Sequence, residues 1–231
     1  MKNNNEHFFL EQKELIDTLS SKIIDNLQEA ILKKGSASLL VSGGSTPKPL
    51  FEKLSSFDVA WDKVKVALCD ERWINPNDKD SNEKLVKNSL LTNFASKAQF
   101  ISMYQENIDI EDAQELCSDI YQKELFPFDV LILGMGNDGH TASLFPNNIK
   151  LKEAFEINNR LCICMEPNDA PYERMSLTKK AILSANNIYL HFEGIEKQDV
   201  YKKVLEGASS NDMPVSAILN QDKKIIEVYY K

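Results

Sequence analysis

The apolar run at residues 128–134, FDVLILG, is the feature that most constrains how this 231-residue chain can fold. A strand that is apolar at nearly every position, rather than at alternate positions, is typical of a parallel strand covered on both faces. Similar short runs alternate with segments of helical periodicity almost throughout the chain. This alternation predicts an α/β fold, a three-layer αβα sandwich with a mainly parallel, Rossmann-like sheet.

The individual elements are predicted from the two periodicities of apolar residues. Helices are predicted over residues 8–34, 47–54, 81–91, 112–125, 175–183 and 197–205, and strands over 37–42, 64–70, 128–134, 161–165, 187–192 and 224–230. Gly35 is expected to end the first helix. Because no repeat, low-complexity tract or linker divides the chain, residues 1–231 are expected to form a single domain.

Charge and hydropathy exclude several classes of partner. The formal net charge of -8 argues against nucleic acid or anionic lipid as a general partner. No apolar run approaches the roughly 20 residues of a membrane span, and the polar N-terminus does not resemble a signal peptide. We therefore expect a cytoplasmic protein with no membrane partner. Three of its four cysteines lie in apolar, strand-like runs and Cys117 lies in a predicted helix. With no neighbouring His or Cys cluster, they are expected to be buried, reduced thiols rather than zinc ligands.

The loops that follow strands carry the functional signal, because α/β sheets bind ligands at the carboxyl ends of their strands. Strand 37–42 leads into Gly43, Gly44, Ser45 and Thr46, just ahead of Pro47. Exposed backbone N–H groups, two hydroxyls and a helix N-terminus would together form a phosphate cradle. The same residues also fit an ordinary βα turn. They do not form a Walker A loop, because the required Gly-Lys-Ser/Thr is missing.

The loop after strand 128–134 contains Gly134-x-Gly136-x-x-Gly139, the spacing of a dinucleotide-binding turn. Pro146 would end the following helix within about two turns, so we do not expect NAD binding. The glycines are expected instead to present Asp138 and His140. Histidine is suited to proton transfer near neutral pH, and a neighbouring carboxylate can hold its tautomer or position water.

Charged residues near other junctions are candidates for the same crevice. Asp70 and Arg72 lie at the end of strand 64–70, Arg174 precedes the predicted helix 175–183, and Lys197 begins the predicted helix 197–205. Arginine can bind phosphate through two parallel hydrogen bonds, and lysine acts as a point charge. Each residue taken alone also fits a solvated surface charge.

Several segments together resemble the 6-phosphogluconolactonase family, within the glucosamine/galactosamine-6-phosphate isomerase superfamily. They are, in order, SGGSTP, DERW followed by DSN, LGMGNDGHTASLFP, PYERMSLT, GIEKQDVYKKVLEG and MPVSAIL. The resemblance spans roughly residues 37–219. It implies a carboxylic ester hydrolase of the oxidative pentose phosphate pathway, which converts 6-phospho-D-glucono-1,5-lactone to 6-phospho-D-gluconate without a metal or an organic cofactor.

The resemblance also implies roles for individual residues. His140 would be the general base, and Asp70 and Asp138 are candidates for positioning water or orienting His140. The residues implied for substrate binding, with Arg174 and Lys197 on the phosphate, are Gly43, Gly44, Ser45, Thr46, Arg72, Arg174 and Lys197. Met175 stands where leucine is commoner, which changes no chemistry.

The sequence also bears on two other functions, a deaminase and a non-catalytic binding protein. Glucosamine-6-phosphate deaminases share the Asp-Gly-His sequence but continue toward Phe-Asn-Glu-Pro, whereas this chain continues Thr-Ala-Ser-Leu-Phe-Pro. A non-catalytic phosphosugar-binding protein would normally carry a DNA-binding helical domain, and only one helix is predicted before the first predicted strand. A monomer and a small homo-oligomer are both left open.

Overall fold

The structure is a computed structural model that describes residues 4–167 and 170–231. The ten strands are β1 Asn4–Phe8, β2 Ala37–Val41, β3 Val64–Leu68, β4 Asp70–Arg72, β5 Gln99–Phe100, β6 Val130–Leu133, β7 Cys162–Met165, β8 Arg174–Leu177, β9 Asn187–Phe192 and β10 Ile226–Tyr230. The eight helices are α1 Gln12–Lys34, α2 Lys48–Ser55, α3 Asn82–Ser89, α4 Ile110–Glu124, α5 Leu151–Glu156, α6 Lys179–Ser184, α7 Ile195–Leu205 and α8 Ser216–Leu219.

Seven of these strands form one sheet, in the order β1-β10-β9-β6-β2-β3-β5, and every pairing within it is parallel. Along β2, Leu39 and Val41 belong to the core cluster formed with α1, α2 and α3, whereas Leu40 belongs to the cluster formed with helices α4 to α8. Successive side chains of a strand point to opposite faces, so a strand covered on both faces is apolar at every position. The predicted three-layer α/β fold with a mainly parallel sheet is confirmed.

The order of the strands places a switch point beside β2. From β2 the chain proceeds outward to β3 and β5, and it then returns to β6 on the opposite side of β2. Loops that leave neighbouring strands in opposite directions open a crevice at the carboxyl end of the sheet. The loops after β2 and β6 are those that carry Gly43 and His140.

The prediction for the N-terminus was wrong in one respect. Phe8 belongs to β1, which pairs with β10 from Asn4↔Ile226 to Phe8↔Tyr230, and a helix begins only at Gln12. The partner strand of β1 lies more than 200 residues away along the chain, so no local sequence pattern could reveal the pairing. The predicted end of the helix is confirmed, since Gly35 has a φ of 83° and its N–H donates to Ile31 O at 2.8 Å.

The predicted helix over 175–183 was also wrong in its first half. Residues 174–177 form β8, which pairs antiparallel with β4 and β7 in a second, three-stranded sheet. The helix begins after Thr178, whose hydroxyl caps it by accepting a hydrogen bond from Ala181 N at 3.2 Å. Cross-strand pairing therefore overrides the helical pattern. It also places Arg174 and Arg72 opposite each other on neighbouring strands.

All four cysteines are buried and form no disulfide, as expected. Among residues 4–167 and 170–231, no helix has the length and apolar character that crossing a bilayer requires.

Candidate active site

A cleft of ≈380 Å³ lies at the carboxyl end of the main sheet. The loops after β2, β3, β6 and β9 line it together with β8. All of the predicted site residues except Asp138 border this cleft, namely Gly43, Gly44, Ser45, Thr46, Asp70, Arg72, His140, Arg174 and Lys197. Segments far apart in sequence thus converge on one crevice, because each of them follows a strand of the same parallel sheet or lies on β8.

The turn after β6 holds His140 in place. Gly136 N–H donates to His140 O at 2.9 Å, and Gly139 N–H donates to Gly136 O at 3.0 Å. Gly139 has a φ of 81°, in the left-handed region that favours glycine. The Thr141 hydroxyl closes the turn by donating to Gly134 O at 2.8 Å. The glycines therefore form the scaffold of a histidine loop, as predicted from the residues around His140.

Asp138 contacts the cleft through His140. Its Oδ1 lies 2.6 Å from His140 Nδ1 and accepts a hydrogen bond from His140 N at 3.1 Å. Burial acts to raise the pKa of Asp138, but the hydrogen bonds and charge of His140 outweigh it, so the pKa is lowered. An ionised carboxylate only accepts hydrogen bonds, so Nδ1 carries a proton, and in the neutral imidazole Nε2 is then the acceptor. The His140 side chain is 34% exposed, so solvent can reach it.

Replacing Gly136 with alanine is expected to disrupt this pair. A Cβ at Gly136 would overlap His140 Nδ1, His140 Cε1 and Asp138 Oδ1. We expect Gly136→Ala to lower kcat by at least about tenfold, since misplacing a catalytic group by about 1 Å can cost 100-fold. Gly134→Ala is the matched control, because a Cβ there meets nothing within 4 Å. Steady-state kinetics of both variants provide the test, and equal losses would refute the steric argument.

The loop after β2 leads into helix α2 and leaves several backbone N–H groups unpaired among the described residues. Gly43 packs so closely on Asn82 that a Cβ would overlap the Asn82 amide, and Gly44 has a φ of 98°. Within the described ranges 4–167 and 170–231, no hydrogen-bond acceptor lies against the backbone N–H groups of residues 43–46. Such free N–H groups ahead of a helix form an anion-binding concavity.

Three cationic side chains border the cleft. Arg174 is only 6% exposed, and its Nη1 has no hydrogen-bond partner within residues 4–167 and 170–231. Burial lowers the pKa of Arg174, and the nearby Arg72 charge lowers it further. Burial also lowers the pKa of Lys197, whose Nζ lies 3.5 Å from Thr46 Oγ1. A buried guanidinium with a free donor, beside a second arginine, is a configuration that an anionic ligand would stabilise.

Asp70 contacts other partners than His140. It accepts a hydrogen bond from Ser143 Oγ at 2.6 Å, and its backbone carbonyl accepts one from Asn82 Nδ2 at 2.9 Å. Of the two carboxylates predicted to position water or orient His140, Asp138 is therefore the one that contacts the imidazole. Asp70 borders the cleft as a fixed hydrogen-bond acceptor.

Sequence reasoning missed four residues that shape the site. Asn82 accepts a hydrogen bond from Arg72 Nη1, and Ser143 holds Asp70. His191 borders the cleft from β9. Glu71 is fully buried against the N-terminus of α3. Arg72 and Asn82 lie in the DERW and DSN segments, ten residues apart, and their hydrogen bond is visible only in three dimensions.

Glu71 anchors the N-terminus of α3. Its Oε1 accepts hydrogen bonds from Arg72 N (2.7 Å) and Asn82 N (2.8 Å), and its Oε2 accepts them from Ser81 Oγ (2.9 Å) and Glu83 N (2.7 Å). Burial raises the pKa of Glu71, and the four hydrogen bonds only partly offset that rise. The Glu71 carboxylate thus fixes the backbones of Arg72 and Asn82 next to each other at the N-terminus of α3.

Glu71→Gln is expected to destabilise the protein. The amide nitrogen cannot accept a hydrogen bond, so at least one buried N–H loses its partner, at a cost of about 1–3 kcal/mol in the free energy of unfolding. Urea unfolding monitored by circular dichroism measures this. Glu52→Gln, at an exposed position, is the control, and its effect should stay within about 0.5 kcal/mol. Equal stabilities of the two variants would contradict the assigned anchor role.

One acidic cluster could hold a cation, and it lies apart from the cleft. Ligand atoms of the exposed residues Glu111, Glu166 and Glu173 lie within 4.8 Å of one another. None of the three borders the cleft. Exposed acidic groups of this kind are common without a bound ion, so the cluster contributes nothing to the site.

Comparisons with known proteins show the family of this chain. Residues 10–227 match the family described as glucosamine-6-phosphate isomerases/6-phosphogluconolactonase. The 6-phosphogluconolactonase of Pseudomonas putida is 37% identical over 97% of this chain and 91% of its own length. That of Rhizobium meliloti (strain 1021) is 37% identical over 98% of each chain. A crystal structure of a 6-phosphogluconolactonase from Shewanella baltica OS155 superposes with a TM-score of 0.94 at 40% identity, covering 98% of this chain and 97% of that one.

Proposed function

Because this chain belongs to the family of glucosamine-6-phosphate isomerases and 6-phosphogluconolactonases, we propose that it hydrolyses 6-phospho-D-glucono-1,5-lactone to 6-phospho-D-gluconate. The observation that carries the proposal is the hydrogen-bonded His140–Asp138 pair at the edge of a cleft bordered by Arg72, Arg174 and Lys197. A base beside cationic side chains suits the hydrolysis of a phosphorylated ester.

His140 acts as the general base on water. With Nδ1–H held by Asp138, Nε2 removes a proton from a water molecule as the water oxygen attacks C1 of the lactone. A positioned base of this kind supplies about 10²–10⁴-fold in rate. Asp138 stabilises the imidazolium that forms, and the lowered pKa of Asp138 keeps the carboxylate ionised for that role.

The attack turns the carbonyl oxygen of C1 into an oxyanion. Arg72 and backbone N–H groups of the cleft stabilise this charge as it develops. The bond from C1 to the ring oxygen then breaks, and the His140 imidazolium returns its proton to that oxygen. The carboxylic acid formed at C1 releases the second proton of the water to solvent, so the products are the carboxylate and the open-chain hydroxyl of 6-phosphogluconate. Ser143 donates to Asp70 and takes no part as a nucleophile.

The phosphate binds away from C1. The N–H groups of residues 43–46, Arg174 and Lys197 hold the phosphate oxygens, and this grip fixes the lactone in an attack geometry. The nearby Thr46 hydroxyl, 3.5 Å from Lys197 Nζ, adds a further donor.

The four buried, unpaired cysteines suit a reducing compartment, which supports the inference that the protein works in the cytoplasm.

Two substrates separate the proposed lactonase from a deaminase. Purified protein is offered freshly generated 6-phosphogluconolactone and, separately, glucosamine 6-phosphate, and the products are identified by NMR and by an ammonia assay. We expect 6-phosphogluconate formation that EDTA does not inhibit, and no ammonia above background. Ammonia release without lactone hydrolysis would replace the lactonase by a deaminase. Binding of both phosphosugars without turnover would indicate a binding protein.

A further inference from the structure

His191 is a buried side chain of β9 that borders the cleft and has one unpartnered ring nitrogen. It is 2% exposed, and its Nδ1 has no hydrogen-bond partner within residues 4–167 and 170–231. Its Nε2 lies 3.3 Å from Glu193 Oε1. Buried polar atoms nearly always have a partner, so an orphaned one beside a cleft marks a place where a ligand or water supplies it.

The orphaned atoms of the protein concentrate at this cleft. Within the described part of the chain, six buried side-chain nitrogen or oxygen atoms have no partner. Three of them, Ser42 Oγ, Arg174 Nη1 and His191 Nδ1, belong to residues that border the cleft. His191 and Arg174, the latter proposed above to bind the phosphate, therefore each have a buried polar atom that no side chain of the described residues hydrogen-bonds.

Glu193 places His191 on the Lys197 side of the cleft. The hydrogen bond from His191 is the main cause of the lowered pKa of Glu193. Burial lowers the pKa of Lys197, and the negative charge of Glu193 partly offsets that lowering. Gln12 Nε2 fixes that carboxylate from helix α1, at 2.9 Å and 3.1 Å from its two oxygens. Lys197 in turn approaches Thr46 of the anion-binding loop.

We propose that His191 is a further phosphate-binding residue, whose Nδ1 hydrogen-bonds a phosphate oxygen beside Lys197 while Glu193 holds Nε2. In the imidazolium form both ring nitrogens are donors, so one ring can bridge the Glu193 carboxylate and the phosphate. The role rests on the proposed function for the identity of the phosphorylated substrate. It makes His191 a determinant of selectivity for phosphorylated over unphosphorylated lactones.

Two substitutions separate the ring nitrogens. In His191→Gln the amide replaces Nε2 and keeps a donor toward Glu193, but nothing occupies the Nδ1 position. In His191→Asn the amide replaces Nδ1 and gives up the contact with Glu193. His7→Gln is the control, because His7 pairs with Glu227 on β10 and does not border the cleft.

The variants are compared by kinetics on 6-phosphogluconolactone and on D-glucono-1,5-lactone, and by calorimetric titration with inorganic phosphate. For His191→Gln we expect KM for the phosphorylated lactone to rise about 10- to 100-fold with kcat changed by less than about threefold. We expect inorganic phosphate to bind correspondingly more weakly, and kcat/KM for the unphosphorylated lactone to stay at the wild-type value. His191→Asn should retain most of the phosphate affinity.

Either of two results would overturn the role of His191. One is wild-type affinity of His191→Gln for inorganic phosphate. The other is an equal loss on both lactones, which would show a structural role. Because phosphate titration needs no turnover, it stays informative if the wild-type protein hydrolyses no lactone, and the two proposals thus fail separately.

Discussion

Replacing His140 with alanine is expected to lower kcat for 6-phosphogluconolactone by about 10²–10⁴-fold, the usual contribution of a positioned general base. KM should change little, because in the proposed mechanism the loop after β2, Arg174 and Lys197 hold the phosphate and His140 does not. The fold should tolerate the change, since the His140 side chain is 34% exposed and contacts chiefly Asp138 and the Phe145 ring, 5.1 Å between centroids. Steady-state kinetics with thermal unfolding as a check on folding provide the measurement.

His7→Ala is the matched control for the loss of an imidazole. His7 also pairs with a carboxylate, Glu227 at 2.8 Å, and stacks on Tyr229, but it lies outside the cleft. It should retain the wild-type kcat. A folded His140→Ala variant that keeps kcat within about tenfold of wild type would rule out His140 as the base, since even a weak general base supplies about 100-fold.

Replacing Arg174 with methionine is expected to lower kcat/KM by about 10²–10³-fold while making the ligand-free protein more stable. Each hydrogen bond to a charged group is worth about 1.5–3 kcal/mol, and a guanidinium can make two to a phosphate. Without ligand, however, Arg174 is buried beside Arg72 with Nη1 unpartnered among residues 4–167 and 170–231. Removing such a charge relieves a desolvation cost, which we expect to raise the free energy of unfolding by about 1 kcal/mol.

The two readouts of Arg174→Met must move in opposite directions. Kinetics report the first, and urea unfolding without ligand reports the second. Arg160→Met is the control, because Arg160 pairs with Glu153 at 2.8 Å away from the cleft. Its kinetics should match those of wild type. If Arg174→Met lost stability and activity together, the guanidinium would be a structural element of the second sheet and not a ligand for the phosphate.

The sheet and most of the cleft follow from local sequence patterns. A run such as residues 128–134 is apolar at nearly every position because both faces of a parallel strand are covered, and this is visible without any partner. Once the strands are known, the loops after them are known too. That is why Gly43, His140 and Lys197 could be assigned to one crevice before the structure was known.

The remaining features depend on contacts between distant segments. Residues 175–177 look helical in isolation, and only pairing with β4 and β7 makes them part of a strand. In the sequence Glu71 looks like a surface charge, and only the structure shows that backbone N–H groups at the N-terminus of α3 donate to its carboxylate. His191 is hidden within an apolar strand, and neither its unpartnered Nδ1 nor its place beside the cleft has a signature in the sequence.

The most direct test of the proposed function is the rate at which purified wild-type protein, with excess EDTA, converts freshly generated 6-phosphogluconolactone to 6-phosphogluconate. Spontaneous hydrolysis in the same buffer is the reference, and the rate is followed over a range of protein concentrations. We expect a rate that rises in proportion to protein concentration and far exceeds the reference. A rate equal to that of spontaneous hydrolysis at every protein concentration would contradict it.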